Sequence, residues 1–409
     1  MKSGWRDCTL GDLIQVKHGF AFLGEHFAER GSHIVLTPGN FVERGGFRAK
    51  GDKEKWYTGP IPDEYVLRRG DVLVAMTEQA EGLLGSSAVV PKDDLYLHNQ
   101  RLGLVQTRGR DIADLSFIYH LFNLGDVRQQ IRGAATGTKV RHTSPSRIAA
   151  VRVRAPDVTR QRQIAGILSA YDDLIENCER RIQVLDETAR ALYREWFVNF
   201  RYPGHEKVPL VDSPLGRIPR GWRRQRLIAV AQLTMGQSPK SEFYNENGEG
   251  LPFHQGVTDF GARFPTDRVF CTADARIAQS GDILFSVRAP VGRMNIATKR
   301  MALGRGLSAI RHLAGHQSVL WEQLRATFTR EDMMGNGAIF AAVTKKEMED
   351  VELLDPPDGL AVALTEQLEP LHDGIAVADQ AAGNLRKTRD LLLPRLLSGQ
   401  LSVDIGSAA

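Results

Sequence analysis

The chain has 409 residues, 42% hydrophobic and 25% charged, with a net charge of +4. That length predicts more than one domain and a full core, and no apolar run reaches the roughly 18 residues of a membrane span. The start, MKSGWRDCTLGD, lacks a signal-peptide apolar stretch, and the scattered Cys8, Cys178 and Cys271 exclude a disulfide framework and a C-x-x-C metal site, as in a reducing cytoplasm.

In chain order the first stretch carries short β runs between turn signals: HIVLT, DVLVAM and AAVRVRA, with one clear helix in DLSFIYHLFNL. The strongest periodic signal follows. Ile164, Leu168, Tyr171, Ile175, Cys178, Ile182, Leu185, Ala189, Leu192 and Trp196 are spaced alternately by four and three. A sustained 3.5-residue spacing is a coiled-coil seam. The proline-rich stretch RYPGHEKVPLVDSPLGRIPRGW reads as a linker. A second stretch repeats the first pattern, with DILFSV and VELL as strands and VLWEQLRATF as a helix. A second seam closes the chain: Leu364, Leu368, Leu371, Ile375, Ala378, Ala382, Leu385, Arg389, Leu392 and Leu396. Pro370 and Pro394 fall inside it and predict an interruption.

The chain is therefore an internal repeat. GWR at Gly4 recurs at Gly221, and Gly70-Asp71-Val72-Leu73 recurs as Gly281-Asp282-Ile283-Leu284. From Ala135 onward the two halves align at a constant offset of 200, which sets Gly137 against Gly337, Pro156 against Pro356 and one seam on the other. The expected architecture is α+β: mixed lobes at 1–157 and 202–357, and helical regions at 158–201 and 358–409. A pseudo-two-fold axis pairs the helices antiparallel. At about 40 residues each helix is about 60 Å long, long enough to act as a spacer between the lobes.

The excess of basic residues lies in the lobes and not in the helices. From Val127 to Pro156 there are Arg128, Arg132, Lys139, Arg141, Arg147, Arg152 and Arg154 and no acid, and from Arg276 to Arg311 the only acid is Asp282. Two such runs in two related lobes suit phosphate contacts on a divided surface. Asn99, Gln100, Arg101, Gln255, Arg288 and Arg305 are of the types that read base edges.

Catalytic motifs fail on their details. LLDPPDGL has the Asp-Pro-Pro of amino-methyltransferases but Asp358 where an aromatic would stack, and reads as a strand-to-helix junction. GAATGTKV has the wrong P-loop spacing. His312 and His316 could form a metal pair on a helix, but no third ligand is evident. Two other readings remain on the residues alone: a fused methyltransferase or nuclease with its own recognition lobes, and a coiled-coil scaffold unrelated to DNA.

Two lobes alternating with two heptad helices, Gly-Asp-Ile-Leu leading to Arg-Ala-Pro-Val-Gly, ALGRGLSAIR, QRQIAGILSAYDDLIENCERRIQVLDETARALYREWF and LLLPRLLSGQL together resemble the DNA-specificity subunit of type I restriction–modification systems. The resemblance implies a chain without catalysis of its own. Each lobe would read one half of a bipartite double-stranded DNA target, while the helices set the unread spacer. Ile164, Leu168, Tyr171, Ile175, Ile182, Leu185, Leu192, Leu364, Leu368, Leu371, Ile375, Leu385, Leu392 and Leu396 would form the seam. Two modification subunits would dock on the helices and a motor–nuclease subunit would join them. S-adenosylmethionine, ATP and magnesium would belong to those partners, with no cofactor or metal in this chain and no membrane contact. The candidate DNA contacts are Thr77, Asn99, Gln100, Arg101, Lys139 and Arg141 in the first lobe. In the second they are Ser238, Lys240, Gln255, Arg288, Arg293, Arg305 and Lys345. Arg288 is expected at a base edge and Arg293 at a phosphate; lobe one has Thr77, Glu78 and Gln79 in the place of Arg288.

Overall fold

The computed structural model describes residues 4–78, 82–213, 216–273, 275–331 and 342–403. Gln79, and Gly337 with its neighbours in the repeat alignment, lie outside them. The chain divides into two compact units. One comprises the chain up to Cys178 together with the stretch from Ala381 onward; the other is Glu179–Gln380.

The two lobes share one topology. In the first, an antiparallel sheet has the order Ile14–His18, Leu102–Thr107, Val72–Ala75, Ser87–Val89. In the second the order is Ala231–Met235, Leu307–His312, Ile283–Ser286, Met294–Ile296. A second sheet in each lobe contains one parallel pair, His33–Val35 with Tyr96–Leu97 and Leu251–His254 with Met301–Leu303. A third pairing brings the lobe's ends together, Trp5–Thr9 with Arg152–Pro156 and Arg223–Arg226 with Glu352–Asp355. The repeated Gly-Asp is a tight turn in both. Gly70 and Gly281 have φ of +89° and +85°, which favours glycine. The aspartate accepts from the backbone N–H three residues back, Arg68 to Asp71 at 2.8 Å and Gln279 to Asp282 at 2.7 Å.

The first long helix runs Val158–Tyr193 and closes in a π-turn, Arg194–Val198; the second runs Asp358–Leu397 without a break. Pro370 and Pro394 do not interrupt it. Both are on its exposed side, where water can satisfy the carbonyl left free one turn back. The compact units do not follow the division into lobes and helical regions. Each lobe packs against a segment of both helices. In unit one Ile164, Leu168, Leu396 and Leu397 join the lobe core of Leu13, Val74, Phe117 and Leu121. In unit two Ala189, Trp196, Leu364 and Leu368 pack with Val319.

Within each unit the helical segments are antiparallel. In unit one Asp172 meets Arg389 at 2.5 Å, and one turn earlier Leu168 shares a core with Leu392 and Leu396. In unit two Leu185 abuts Gly374, and Ala189 and Leu192 cluster with Leu364, Leu368 and Leu371. Ile164, Leu168, Ile175, Leu364, Leu368, Ile375 and Leu396 are buried, and Tyr171, Ile182, Leu185, Leu192, Leu371, Leu385 and Leu392 half-buried. Arg389, the one non-apolar seam residue, is held by Asp172 and by Asp390 at 2.9 Å. The proline-rich stretch is more than a linker. Leu210–Ser213 pairs with Gly216–Pro219, and Tyr202, Ile218 and Trp222 are buried with Trp196 and Phe197.

Unit one buries two neutral histidines. His98 Nε2 faces the Leu102 carbonyl at 2.9 Å, and His120 lies 4.0 Å from Asp172. Burial pushes His98 down to about 4, against the Leu102 hydrogen bond, and burial with Arg389 pushes His120 down to about 3. The unfolded chain takes these protons near the ordinary imidazole value, about 6.5. The stability they support is thus complete above that pH and falls as pH drops from about 6.5 toward the folded values, at about 1.4 kcal/mol per pH unit for each group. Calorimetry is expected to show unit one melting at lower temperature at pH 5 than at pH 7; equal melting temperatures would refute this.

Candidate nucleic-acid interface

In lobe one Ile14–His18 and Val72–Ala75 both run antiparallel to Leu102–Thr107. Their C-terminal ends and its N-terminal end therefore share one edge of the sheet. Gly19 follows the first strand, and a Cβ there would sit 2.1 Å from the Asn99 carbonyl oxygen. Only glycine allows this approach. Lobe two repeats it, with Gly236 against the Gly304 carbonyl at the same 2.1 Å.

On the lobe-one edge Thr77 and Glu78 pair with Arg141 and His142. His142 and Thr136 exchange two backbone hydrogen bonds, 2.8 and 3.0 Å, closing a loop that exposes Lys139. Gln100 and Arg101 are exposed beside it, and Asn99 Oδ1 accepts from the Arg101 backbone N–H at 2.9 Å. The structure thus gathers Thr77, Asn99, Gln100, Arg101, Lys139 and Arg141, and adds the exposed His142. Glu78 does not face outward as Thr77 does. It is buried and accepts from the Gly82 and Leu84 N–H groups at 3.2 and 2.8 Å.

Two hydrogen bonds align lobe two on this frame. Met76 donates to the Arg101 carbonyl at 3.0 Å and accepts from Thr143 at 2.9 Å; Val287 donates to Gly306 at 3.0 Å and accepts from Val343 at 2.8 Å. Arg288, exposed and bridged to Ala342, therefore stands where Thr77 stands, and Arg305 where Gln100 stands. Ser238 Oγ accepts from the Arg305 N–H at 3.1 Å, and the Gln255 carbonyl accepts from Gly306 at 3.1 Å. Lys345 begins a short helix two residues after Val343 and pairs with Glu349 at 3.3 Å, while exposed Lys240 lies 3.8 Å from Glu242. Arg293 is placed apart from Arg288. It lines a cleft with Asp186, Arg190 and Arg325, beside the end segment of the first long helix.

The basic runs are not single surfaces. Arg128 is buried and donates to three carbonyls, Leu84 at 3.1 Å, Glu43 at 2.6 Å and Gly82. Arg152 and Arg154 stand on the strand paired with Trp5–Thr9, which feeds the Ile14 end of the sheet, opposite the edge with Thr77 and Arg101. Arg311 is tied to Asp282 at 2.6 Å and Lys299 to Asp267 at 2.7 Å. His312 and His316 are not on one helix. They flank the turn before Gln317–Glu331, and His312 Nδ1 accepts from Ala314 N–H at 3.1 Å. Among the described residues no group of three or more His, Cys, Asp or Glu could hold a metal ion, and no helix is long and apolar enough to cross a membrane. Asp355 ends a strand, accepts from Gln225 at 3.1 Å and leads into the second long helix, the strand-to-helix junction expected of it.

Two lobes of one topology present the same loop edge with different side chains, and both are joined to paired heptad helices. A family model for the type I restriction modification DNA specificity domain matches residues 2–187. The putative type I restriction enzyme MjaX specificity subunit of Methanocaldococcus jannaschii is 28% identical over 350 residues, covering 83% of this chain and 80% of that one. The MjaIX specificity subunit of the same organism is 24% identical over 70% and 69%. The crystal structure of the type I restriction–modification S subunit from M. genitalium has the same fold, with a TM-score of 0.65, 15% identity and 97% coverage of each chain. Along most of its length the chain is similar to type I restriction–modification specificity subunits.

His142 and the clamp formed by Glu78 and Arg128 escape sequence reading. His142 could have been found from its place beside Arg141 in the basic run. Nothing in the sequence marks Arg128 as buried.

Proposed function

We propose that this chain reads a bipartite duplex DNA target, one half with each lobe, within a cytoplasmic type I restriction–modification complex. The carrying observation is the matched edge with unmatched chemistry: Thr77, Gln100, Arg101 and His142 in lobe one against Arg288, Arg305, Gly306 and Ala342 in lobe two. Equal scaffolds with different donors and acceptors should select different bases, Arg suiting guanine and Gln suiting adenine. Lys139 and Lys345 supply phosphate contacts nearby. The long helices set the unread spacer and dock two modification subunits, and a motor–nuclease subunit completes the complex. S-adenosylmethionine, ATP and magnesium reside in those partners.

The test is selection from a random duplex library by the chain assembled with its modification subunit. Two short sequence blocks at a fixed gap are expected. Arg288→Ala should relax one block only, weakening binding by about ten- to a hundredfold, as for a lost bidentate base contact. Enrichment without a gap, or an Arg288→Ala profile identical to the parent, would overturn the reading.

A further inference from the structure

The cleft beside Arg293 lies wholly within unit two and has a volume of about 380 Å³, within the range of small-ligand sites. Four guanidinium groups line it: Arg190, Arg263, Arg293 and Arg325. Three of them share the carboxylate of Asp186, with Arg325 at 2.6 Å, Arg190 at 2.9 Å and Arg263 at 3.2 Å. Burial raises the Asp186 carboxyl, but Arg325 and its neighbours outweigh this and hold it below the usual range, so it stays ionised. With Glu179 as the other acid of the lining, the walls keep an excess of positive charge.

The buried donors go further. Arg263 is 6% exposed and lies over the Trp321 ring, 4.7 Å from its centre. Its Nη1 serves Asp186, but its Nε and Nη2, and the Nε1 of Trp321, are buried and have no partner among the described residues. Buried N–H groups left unpaired are costly and rare. Guanidinium and indole groups donate and cannot accept, so only an acceptor satisfies them, and the surrounding charge selects an anion. The planar guanidinium fork matches phosphate oxygens. Arg293 stands exposed at the rim on a fixed backbone: its N–H donates to Ser286 Oγ at 2.8 Å, and its carbonyl accepts from the Ser286 N–H at 2.9 Å.

We propose that this cleft binds the phosphate group of a small ligand, free phosphate or a nucleoside monophosphate, at a site separate from the DNA-reading edge. The buried donors form the floor and Arg293 closes the rim. DNA backbone carries the same chemistry, and the test separates the two sources. Inorganic phosphate, and then adenosine monophosphate, would be titrated calorimetrically into the full chain. Saturable one-to-one binding is expected, weakened at least about tenfold in both Arg293→Ala, at an exposed position, and Trp321→Phe, which keeps an aromatic face under Arg263 but removes the donor. Non-target duplex DNA should not displace the phosphate. Absence of saturable binding at millimolar phosphate overturns the site. Trp321→Phe binding like the parent removes the buried floor from it, and displacement by duplex DNA reassigns the cleft to the DNA backbone; either result overturns the proposal.

Discussion

Glu322→Ala is expected to be among the most damaging single changes in unit two. Glu322 is 1% exposed and accepts from His372 at 3.2 Å and from Arg325 one turn along its own helix. Removing it leaves the half-buried Arg325 guanidinium with only Asp186, already shared with Arg263 and Arg190, and leaves the half-buried His372 without its acceptor. Breaking a buried charged network by deleting one partner costs about 3–5 kcal/mol. In a unit of this size each kcal/mol moves the midpoint by about 2–4 °C. The unit-two transition should therefore fall by roughly 10 °C in calorimetry while that of unit one stays in place. A fall of less than about 2 °C, under the shift for a single kcal/mol, would show that the network contributes little to stability.

Arg128→Met should cost unit one about 3 kcal/mol, because carbonyls of Glu43, Gly82 and Leu84 lose their donor inside the lobe. The same residues show why the effect should reach recognition. Glu78 holds the Gly82 and Leu84 N–H groups from one side, while Arg128 holds their carbonyls from the other. Glu78 also pairs with Arg141 in the ribbon that presents Thr77. With the clamp open, the edge of lobe one loses its support. Library selection by this variant should lose the lobe-one sequence block and keep the lobe-two block. Loss of both blocks together would mean that Arg128 acts through general unfolding, and retention of both would mean that the clamp does not support the edge.

How much of this was legible in the sequence depends on the range of the interaction. The seam was, because a 3.5-residue spacing is a local property of one helix and every apolar seam position is at least half-buried. The repeat was, down to the Gly-Asp turn, whose hydrogen bond spans three residues. Arg389 broke the pattern for a reason 217 residues away, its partner Asp172. Arg128 looked like its neighbours in a basic run, since exposure of a guanidinium is set by what folds over it. The prolines of the second long helix misled because the rule for helix interiors weighs a lost hydrogen bond without knowing which side faces water. At the loop edge of each lobe, strand ends announced where the loops would be. Which side chains would turn inward, as Glu78 does, depended on contacts between segments.

The offset of 200 that aligns the two seams also sets Asp172 against His372 and Asp186 against Arg386, and the helices of the two lobes match His120 to Glu322. In unit one the histidine comes from the lobe and the acid from the long helix; in unit two the acid comes from the lobe and the histidine from the helix. The seats are the same and the polarity is reversed. A lobe moved into the other's place would set Glu322 on Asp172, acid on acid, which is unfavourable when buried, or His120 on His372, two imidazoles with no acid between them. The two lobes are thus keyed to their own positions: nearly interchangeable in shape, they are not interchangeable in charge, and their order along the chain is fixed by the four residues of these two pairs, His120, Asp172, Glu322 and His372.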